Sequence, residues 1–251
     1  REQAVAFTIA GKAYVGTGLN GSFLNDFWEY DPSTDGWTQK ANFGGSARRD
    51  AIAFAINGKG YVGLGTSSGG SLQDIWEYDP VADSWTQKAN FGGAARLGAV
   101  ATSLNGKAYV GTGFGATYQK DFWEYDPVAD SWTQKADFGG SARTDAVGFS
   151  LDGKIFLGTG LQSNGVTDDF WEYNPGSDSW AQVSNFGGAA RWEALAFVLG
   201  NKAYVGTGEA NFLENDIWNI AASRLNLWSL VPGLLMSLMT IFLTGMETML
   251  G

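Results

Sequence analysis

The sequence predicts an all-β fold assembled from five copies of one four-stranded unit. Three observations predict it. Arg1, Arg48, Arg96, Arg143 and Arg191 open five matching segments, spaced 47, 48, 47 and 48 residues apart. Each segment carries short runs with strand character between turn residues. Glycine (36 residues) and tryptophan (11) are abundant while proline (5) is scarce, a composition of tight turns and large packing groups. Self-similarity at this period marks repeat architectures rather than a string of independent domains.

The elements follow in order within each unit. After the Arg and two variable residues comes an apolar run, Ala4-Val5-Ala6-Phe7 or Ala51-Ile52-Ala53-Phe54. It mixes small and large residues without strict alternation, which predicts a strand buried on both faces. A Gly-Lys or Asn-Lys turn (Gly11-Lys12, Asn201-Lys202) leads into a second strand, Ala13-Tyr14-Val15-Gly16-Thr17-Gly18 or Ala203-Tyr204-Val205-Gly206-Thr207-Gly208. Its glycines allow close backbone approach between tightly stacked sheets. The third strand reads Asp26-Phe27-Trp28-Glu29-Tyr30, and returns as Asp74–Tyr78, Asp121–Tyr125 and Asp169–Tyr173. Asp31-Pro32-Ser33-Thr34-Asp35-Gly36 makes a hairpin turn, proline fixing φ and aspartate accepting backbone N–H groups. The fourth strand holds Trp37, Trp85, Trp132 or Trp180, and Asn42-Phe43-Gly44-Gly45 and its copies link to the next unit.

A lone four-stranded sheet of this size exposes too much apolar face to stand by itself. Radial stacking buries both faces of every sheet, which is the β-propeller solution. Burying one tryptophan contributes on the order of 4–6 kcal/mol before entropy, so inter-blade packing dominates. The unit of about 47 residues, its Tyr-x-x-Gly-Gly-like second strand, its Tyr-Asp-Pro turn and a Trp nine residues after the third-strand Trp together resemble the kelch repeat. The resemblance covers residues 1–230, as repeats 1–47, 48–95, 96–142, 143–190 and 191–230. It implies a kelch-type propeller of five four-stranded blades, of the kind found in the galactose oxidase central domain. One departure is that Thr17, Leu64, Thr112, Thr159 and Thr207 stand where the first glycine of the doublet is expected.

The pattern breaks in the fifth, degenerate unit. After Asp216-Ile217-Trp218 the Glu-Tyr-Asp-Pro of the other units gives way to Asn219-Ile220-Ala221-Ala222, and Trp228 falls ten residues after Trp218. Residues 231–251 form an apolar tail with no counterpart in the repeat. Ser237, Thr240, Thr244, Glu247 and Thr248 share one helical stripe against Leu234, Leu235, Leu238 and Ile241, a pattern of an amphipathic helix. The tail reads in three ways: a helix that caps the propeller, one that touches a membrane or partner, or non-native sequence. Loss of one base from codons for Trp-Glu-Tyr yields Trp-Asn-Ile, which motivates the third. The five units either close as a five-bladed ring or belong to a larger one.

Net charge is −10 and the pI about 4.4, against the basic footprint that nucleic acid or an anionic membrane requires. With no Cys and no His, disulfides, thiolate or imidazole metal sites and His-based triads are excluded, and so is the Cys/His/Tyr copper chemistry that some kelch-fold oxidases use. The five Arg sit at equivalent linker positions and are expected to pair with backbone or carboxylates between blades, not to form a sialidase-like cluster. Asp26, Asp74, Asp121, Asp169 and Asp216 open strands, and no stretch supplies a dense oxygen-ligand loop for Ca²⁺. No catalytic residue, metal or cofactor is assigned.

Function in such folds sits on the loops at one channel mouth. By resemblance to peptide-binding kelch propellers, the mouth is lined by the residue after each Arg (Glu2, Arg49, Leu97, Thr144, Trp192) and the residue after each second Gly (Leu19, Thr66, Phe114, Leu161, Glu209). Aromatic and amide residues of the following loops, among them Phe23, Tyr118, Gln119 and Phe212, suit a peptide or a sugar face. The reading is a non-enzymatic module that binds a protein, peptide or glycan. The alternative is a carbohydrate-active kelch enzyme, epimerase- or lyase-like, which clustered charged residues with perturbed pKa values at the mouth would favour. Similarity to bacterial secreted kelch proteins implies an extracellular or cell-surface location.

Overall fold

A computed structural model describes residues 1–221 and 228–231; the expectations for the rest of the tail lie outside the described residues. It shows five four-stranded antiparallel sheets set around a central channel, and no helix among the described residues. Blade one is β1 (Val5–Ile9), β2 (Lys12–Gly16), β3 (Phe27–Asp31) and β4 (Gly36–Lys40). Blade two runs β5 (Ile52–Ile56), β6 (Lys59–Gly63), a short hairpin β7 (Thr66–Ser67) and β8 (Gly70–Ser71), then β9 (Ile75–Asp79) and β10 (Ser84–Lys88). Blade three is β11 (Val100–Leu104), β12 (Lys107–Gly111), β13 (Phe122–Asp126) and β14 (Ser131–Lys135). Blade four holds β15 (Val147–Leu151), β16 (Lys154–Gly158), a hairpin β17 (Leu161–Gln162) and β18 (Gly165–Val166), β19 (Phe170–Asn174) and β20 (Ser179–Gln182). Blade five is β21 (Leu195–Leu199), β22 (Lys202–Gly206), β23 (Ile217–Ala221) and β24 (Ser229–Leu230).

The first strands of blades one, two and four alternate in burial, contrary to the sequence reading. In β1, Val5, Phe7 and Ile9 are buried while Ala6 and Thr8 are exposed. The large residues face the next blade; the small ones lie where the innermost strands converge. Val5, Phe7, Ile9, Tyr14 and Phe27 of blade one form one apolar cluster with Val62 and Tyr78 of blade two, against which Ala51, Ala53 and Ala55 pack. The same layer recurs between blades two and three and between four and five. The fourth-strand Trp bridges each layer: Trp85 meets Phe27 and Phe43 edge-on at 4.9 and 5.0 Å. Trp228 meets Phe170 and Phe186 at 5.0 and 5.1 Å, so it fills the blade-five position despite the break in the repeat. Among the described residues its buried indole Nε1 has no hydrogen-bond partner, whereas those of Trp85, Trp132 and Trp180 donate to Ala41, Ala89 and Ala136 carbonyls.

The linker glycines answer to those rings. A Cβ on Gly92 would stand 2.5 Å from the Trp123 ring, so the Phe-Gly-Gly segment lies flat on the next blade. The repeat arginines lock it in place. Arg96 is 0% exposed, bonds Asp121 through both guanidinium nitrogens (2.5 and 2.8 Å), donates to the Thr112 and Ala94 carbonyls, and lies over the Phe91 ring at 5.0 Å. Arg48, Arg143 and Arg191 do the same with Asp74, Asp169 and Asp216. Burial pushes each of these carboxyls up, but the arginine outweighs it and holds them below the ordinary range. Thr17, Leu64, Thr112, Thr159 and Thr207 all take φ near +54 to +59°, the left-handed conformation that the expected glycine would adopt freely. The arginine holds that residue's carbonyl in every blade.

Candidate functional site

The channel walls come from the small residues of the five innermost strands: Ala4, Ala6, Ala51, Ala53, Ala99, Ala101, Ala146, Gly148, Ala194 and Ala196. Above them the channel widens into a mouth cavity of about 410 Å³. Its rim is set by the second residue after each Arg, which is Gln3, Asp50, Gly98, Asp145 and Glu193, with Glu2 beside them. All five adopt positive φ, from 51 to 60°. This turn aims their backbone at the neighbouring blade, and a chain of hydrogen bonds circles the mouth. Asp50 N–H donates to Gln3 carbonyl, Gly98 to Asp50, Asp145 to Gly98 and Glu193 to Asp145, at 2.9–3.3 Å. Between blades five and one the link is made by side chains, Gln3 Nε2 to Glu193 Oε1 at 3.3 Å.

Four carboxylates thus converge: Glu2, Asp50, Asp145 and Glu193. Burial pushes Asp50 up to about 6, with Arg49 opposing and the charges of Glu193 and Glu2 adding to the rise. Asp145 is pushed up to about 7, by burial first and by Asp50 and Glu193 in addition, against a hydrogen bond from Thr144. The nearest cation, Arg49, lies 3.8 Å from Asp50 and donates to Gln3 Oε1 at 2.7 Å. Near neutral pH the mouth is therefore an anionic cup whose charge grows as pH rises. Among the described residues no group of acidic side chains is arranged to hold a metal ion, and no helix is long and apolar enough to cross a membrane.

The ten residues expected at the mouth are brought together in five pairs. Glu2 bridges Leu19, Arg49 bridges Thr66, Leu97 bridges Phe114, Thr144 bridges Leu161 and Trp192 bridges Glu209, each by two backbone hydrogen bonds of 2.8–3.0 Å. These pairs stand immediately outside the acidic rim, since each first member precedes a rim residue. Of the ten, Glu2 lines the cavity itself. Thr144 is buried and its hydroxyl lies 3.3 Å from the Gly98 carbonyl, so it supports the rim. Phe114 stacks edge-on against Tyr118 at 5.1 Å. Sequence reasoning missed Gln3, Asp50, Gly98, Asp145 and Glu193. The signal was present: this position differs in nearly every blade, stands two residues after a constant Arg and directly before a constant Ala, and three of its five residues are acidic.

The profile of the KLHDC2/KLHL20/DRC7 Kelch-repeats domain matches residues 1–141. A solved structure titled "Structure of YjhT" superposes with a TM-score of 0.77 at 16% identity, covering 92% of this chain and 84% of that one, a likeness of fold. No curated protein matches at a significant level. The chain belongs to the kelch-repeat family.

Proposed function

We propose that this kelch propeller is a non-enzymatic protein-interaction module whose acidic mouth takes a peptide segment bearing a positive charge. Kelch propellers act as protein-interaction modules generally, and the mouth adds the chemistry. The carrying observation is the convergence of Glu2, Asp50, Asp145 and Glu193 on one cavity with alanine walls below. Such a cup offers shape and charge to a lysine or arginine side chain, while Trp192, Phe114 and Leu97 on the surrounding pairs offer apolar contact to its neighbours. The cup also repels phosphate, which disfavours nucleic acid.

The experiment is a binding screen of the full chain against arrayed peptides that differ in charge, followed by calorimetry on the best binder. Basic peptides are expected to bind, more tightly at pH 8 than at pH 5.5, as Asp50 and Asp145 ionise through about 6 and 7. Trp192→Ala and Asp50→Asn are each expected to weaken binding by roughly tenfold or more, with melting temperature held within a few degrees. Exclusive binding of acidic peptides or of neutral glycans would reject this reading.

A second reading, a carbohydrate-active enzyme, draws on Asp145 alone, whose raised pKa suits a general acid. Among the described residues Arg49 is the cation that contacts the rim, and Gln3 and Asp50 engage it. Turnover of a sugar substrate abolished by Asp145→Asn would establish that reading.

A further inference from the structure

Asparagine followed by glycine is a chemically reactive pair, because the glycine nitrogen can reach the Asn side-chain carbon Cγ with no second side chain in the way. The chain carries four such pairs: Asn20-Gly21, Asn57-Gly58, Asn105-Gly106 and Asn164-Gly165. The fold treats them differently. Asn57-Gly58 and Asn105-Gly106 are the tight turns between the first two strands of blades two and three, closed by pairing of Ile56 with Lys59 and of Leu104 with Lys107. Gly165 pairs with Gln162 in the small hairpin of blade four, so its nitrogen is engaged in a ladder. Asn20-Gly21-Ser22 is the loop over blade one, between the bridge partners Leu19 and Phe23.

Backbone geometry decides which pair reacts. Ring closure needs the glycine nitrogen swung to the Cβ side of the asparagine, eclipsing Cβ about the Cα–C bond. Asn57 and Asn105 stand at φ 51 and 52°, and the glycines after them at 75 and 76°, the left-handed pair of a type I′ turn. Of the allowed backbone regions this one turns the glycine nitrogen farthest from Cβ, nearly opposite to it. Leaving it means opening a hairpin that, in blade two, holds Ile56 in the core between blades two and three. Asn20 has no such lock. It lies outside the left-handed region, and Asn20, Gly21 and Ser22 are all exposed. The Asn20 N–H donates to the Ser22 carbonyl at 3.1 Å, whereas the Gly21 nitrogen and the Asn20 side-chain amide have no hydrogen-bond partner among the described residues.

We propose that Asn20 is a site of self-modification, at which the chain converts its own amide to a carboxylate. The Gly21 nitrogen gives its proton to solvent base and bonds to Asn20 Cγ. The Cγ–Nδ2 bond breaks, and Nδ2 takes up a proton and leaves as ammonia. The product is a cyclic succinimide, which water opens at either carbonyl. Breaking the new Cγ–N bond gives aspartate; breaking the original C–N bond gives isoaspartate, whose main chain runs through Cβ and Cγ. Water is the only co-reactant. The consequence falls beside the mouth. Leu19, the residue before, pairs with Glu2 through two backbone hydrogen bonds, and Glu2 lines the cavity. Either product adds a negative charge next to that pair. Isoaspartate also adds a backbone carbon between Leu19 and Phe23, which breaks the register of their bridge. The change is irreversible and independent of what the mouth binds, so newly made and aged molecules differ in charge at this one loop.

The test follows the folded 251-residue chain through a long incubation at mildly alkaline pH. Peptide mapping by mass spectrometry reads amide-to-carboxylate conversion at each asparagine, and labelling with an isoaspartyl methyltransferase reads isoaspartate. Conversion at Asn20 is expected to run roughly tenfold or more faster than at Asn57 and Asn105, which react only through local opening of their hairpins. In denaturant the three rates are expected to converge, because the same two residues react at each site. Asn20→Gln keeps the amide on a longer side chain, and is expected to remove most of the labelling that the folded chain acquires. Equal rates at Asn20 and Asn57 in the folded chain would overturn the proposal. So would an Asn20 that stays intact in the folded chain while it converts in the unfolded one, or folded-chain labelling that persists undiminished in Asn20→Gln.

Discussion

The junction between blades two and three and the cleft between blades five and one are written in the same residues. The first holds Phe54, Ile56 and Tyr61 against Ala99, Ala101, Val110 and Tyr125, with a fully buried Arg96 clasping Asp121. The second offers Phe197, Leu199 and Tyr204 on one side and Ala4, Ala6, Val15 and Tyr30 on the other, exposed or half-exposed. Arg1 reaches Asp26 with one nitrogen, leaving the other carboxylate oxygen without a partner among the described residues. Sequence identity at a repeat position therefore does not set its energetic role. A residue becomes core only where its neighbour supplies the matching face, so stability in this fold belongs to junctions rather than to blades.

That comparison can be broken most sharply at the arginines. Arg96→Ala leaves the largely buried Asp121 carboxylate with the Trp123 indole N–H but no counter-charge, and is expected to cost about 3 kcal/mol. Arg1→Ala removes a one-armed pair at an open edge and should cost roughly 1 kcal/mol or less. Denaturant titration of both variants checks the difference; equal costs would mean that the cleft is as closed as the other junctions. Next come the rings: Phe54→Ala should cost about 3–4 kcal/mol as a buried truncation, and Phe197→Ala about 1 kcal/mol, half-exposed as it is.

How much of this was legible beforehand follows from the same physics. Period, strand identity and blade composition could be read because Arg, Gly, Trp and Pro recur at fixed offsets that turns and packing demand. The inter-blade role of the arginines could be read too, since a residue repeated at every linker answers to a repeated need. The alternation in the first strand was missed because Ala-Val-Ala-Phe looks uniformly apolar until the channel shows why every second residue is small. The acidic rim was missed for a related reason. Asp50 and Asp145 face the axis because their backbone has positive φ, and a left-handed turn at a non-glycine position leaves little trace in sequence. The exposure of blade five was invisible, since Leu195, Phe197 and Leu199 read like their buried copies.

A smaller effect separates mouth from junction by pH. Asp121 sits below the ordinary carboxylate range, so its stabilisation is present above that range and is lost as pH falls through its folded value. Asp145 runs the other way: with its folded value raised to about 7, the stability held at low pH is lost as pH rises through 7. Asp145→Asn mimics the protonated form. It should leave the melting temperature near that of the unaltered chain at pH 3.5, below the ordinary carboxylate value, and raise it by a few degrees at pH 8, as calorimetry across that range would show. An Asp145→Asn effect that does not change with pH would contradict the electrostatic account of the mouth.

The most direct measurement of the contrast between closed and open junctions is residue-resolved amide hydrogen exchange on the 251-residue chain. Gly18, Gly65, Gly113 and Gly160 donate their N–H across a junction to the next arginine carbonyl. These four amides are predicted to exchange slowly, through opening events that approach global unfolding, while the amide of Gly208 exchanges orders of magnitude faster. Protection of Gly208 equal to that of the other four would contradict the account, because it would show that blade five already has a neighbour.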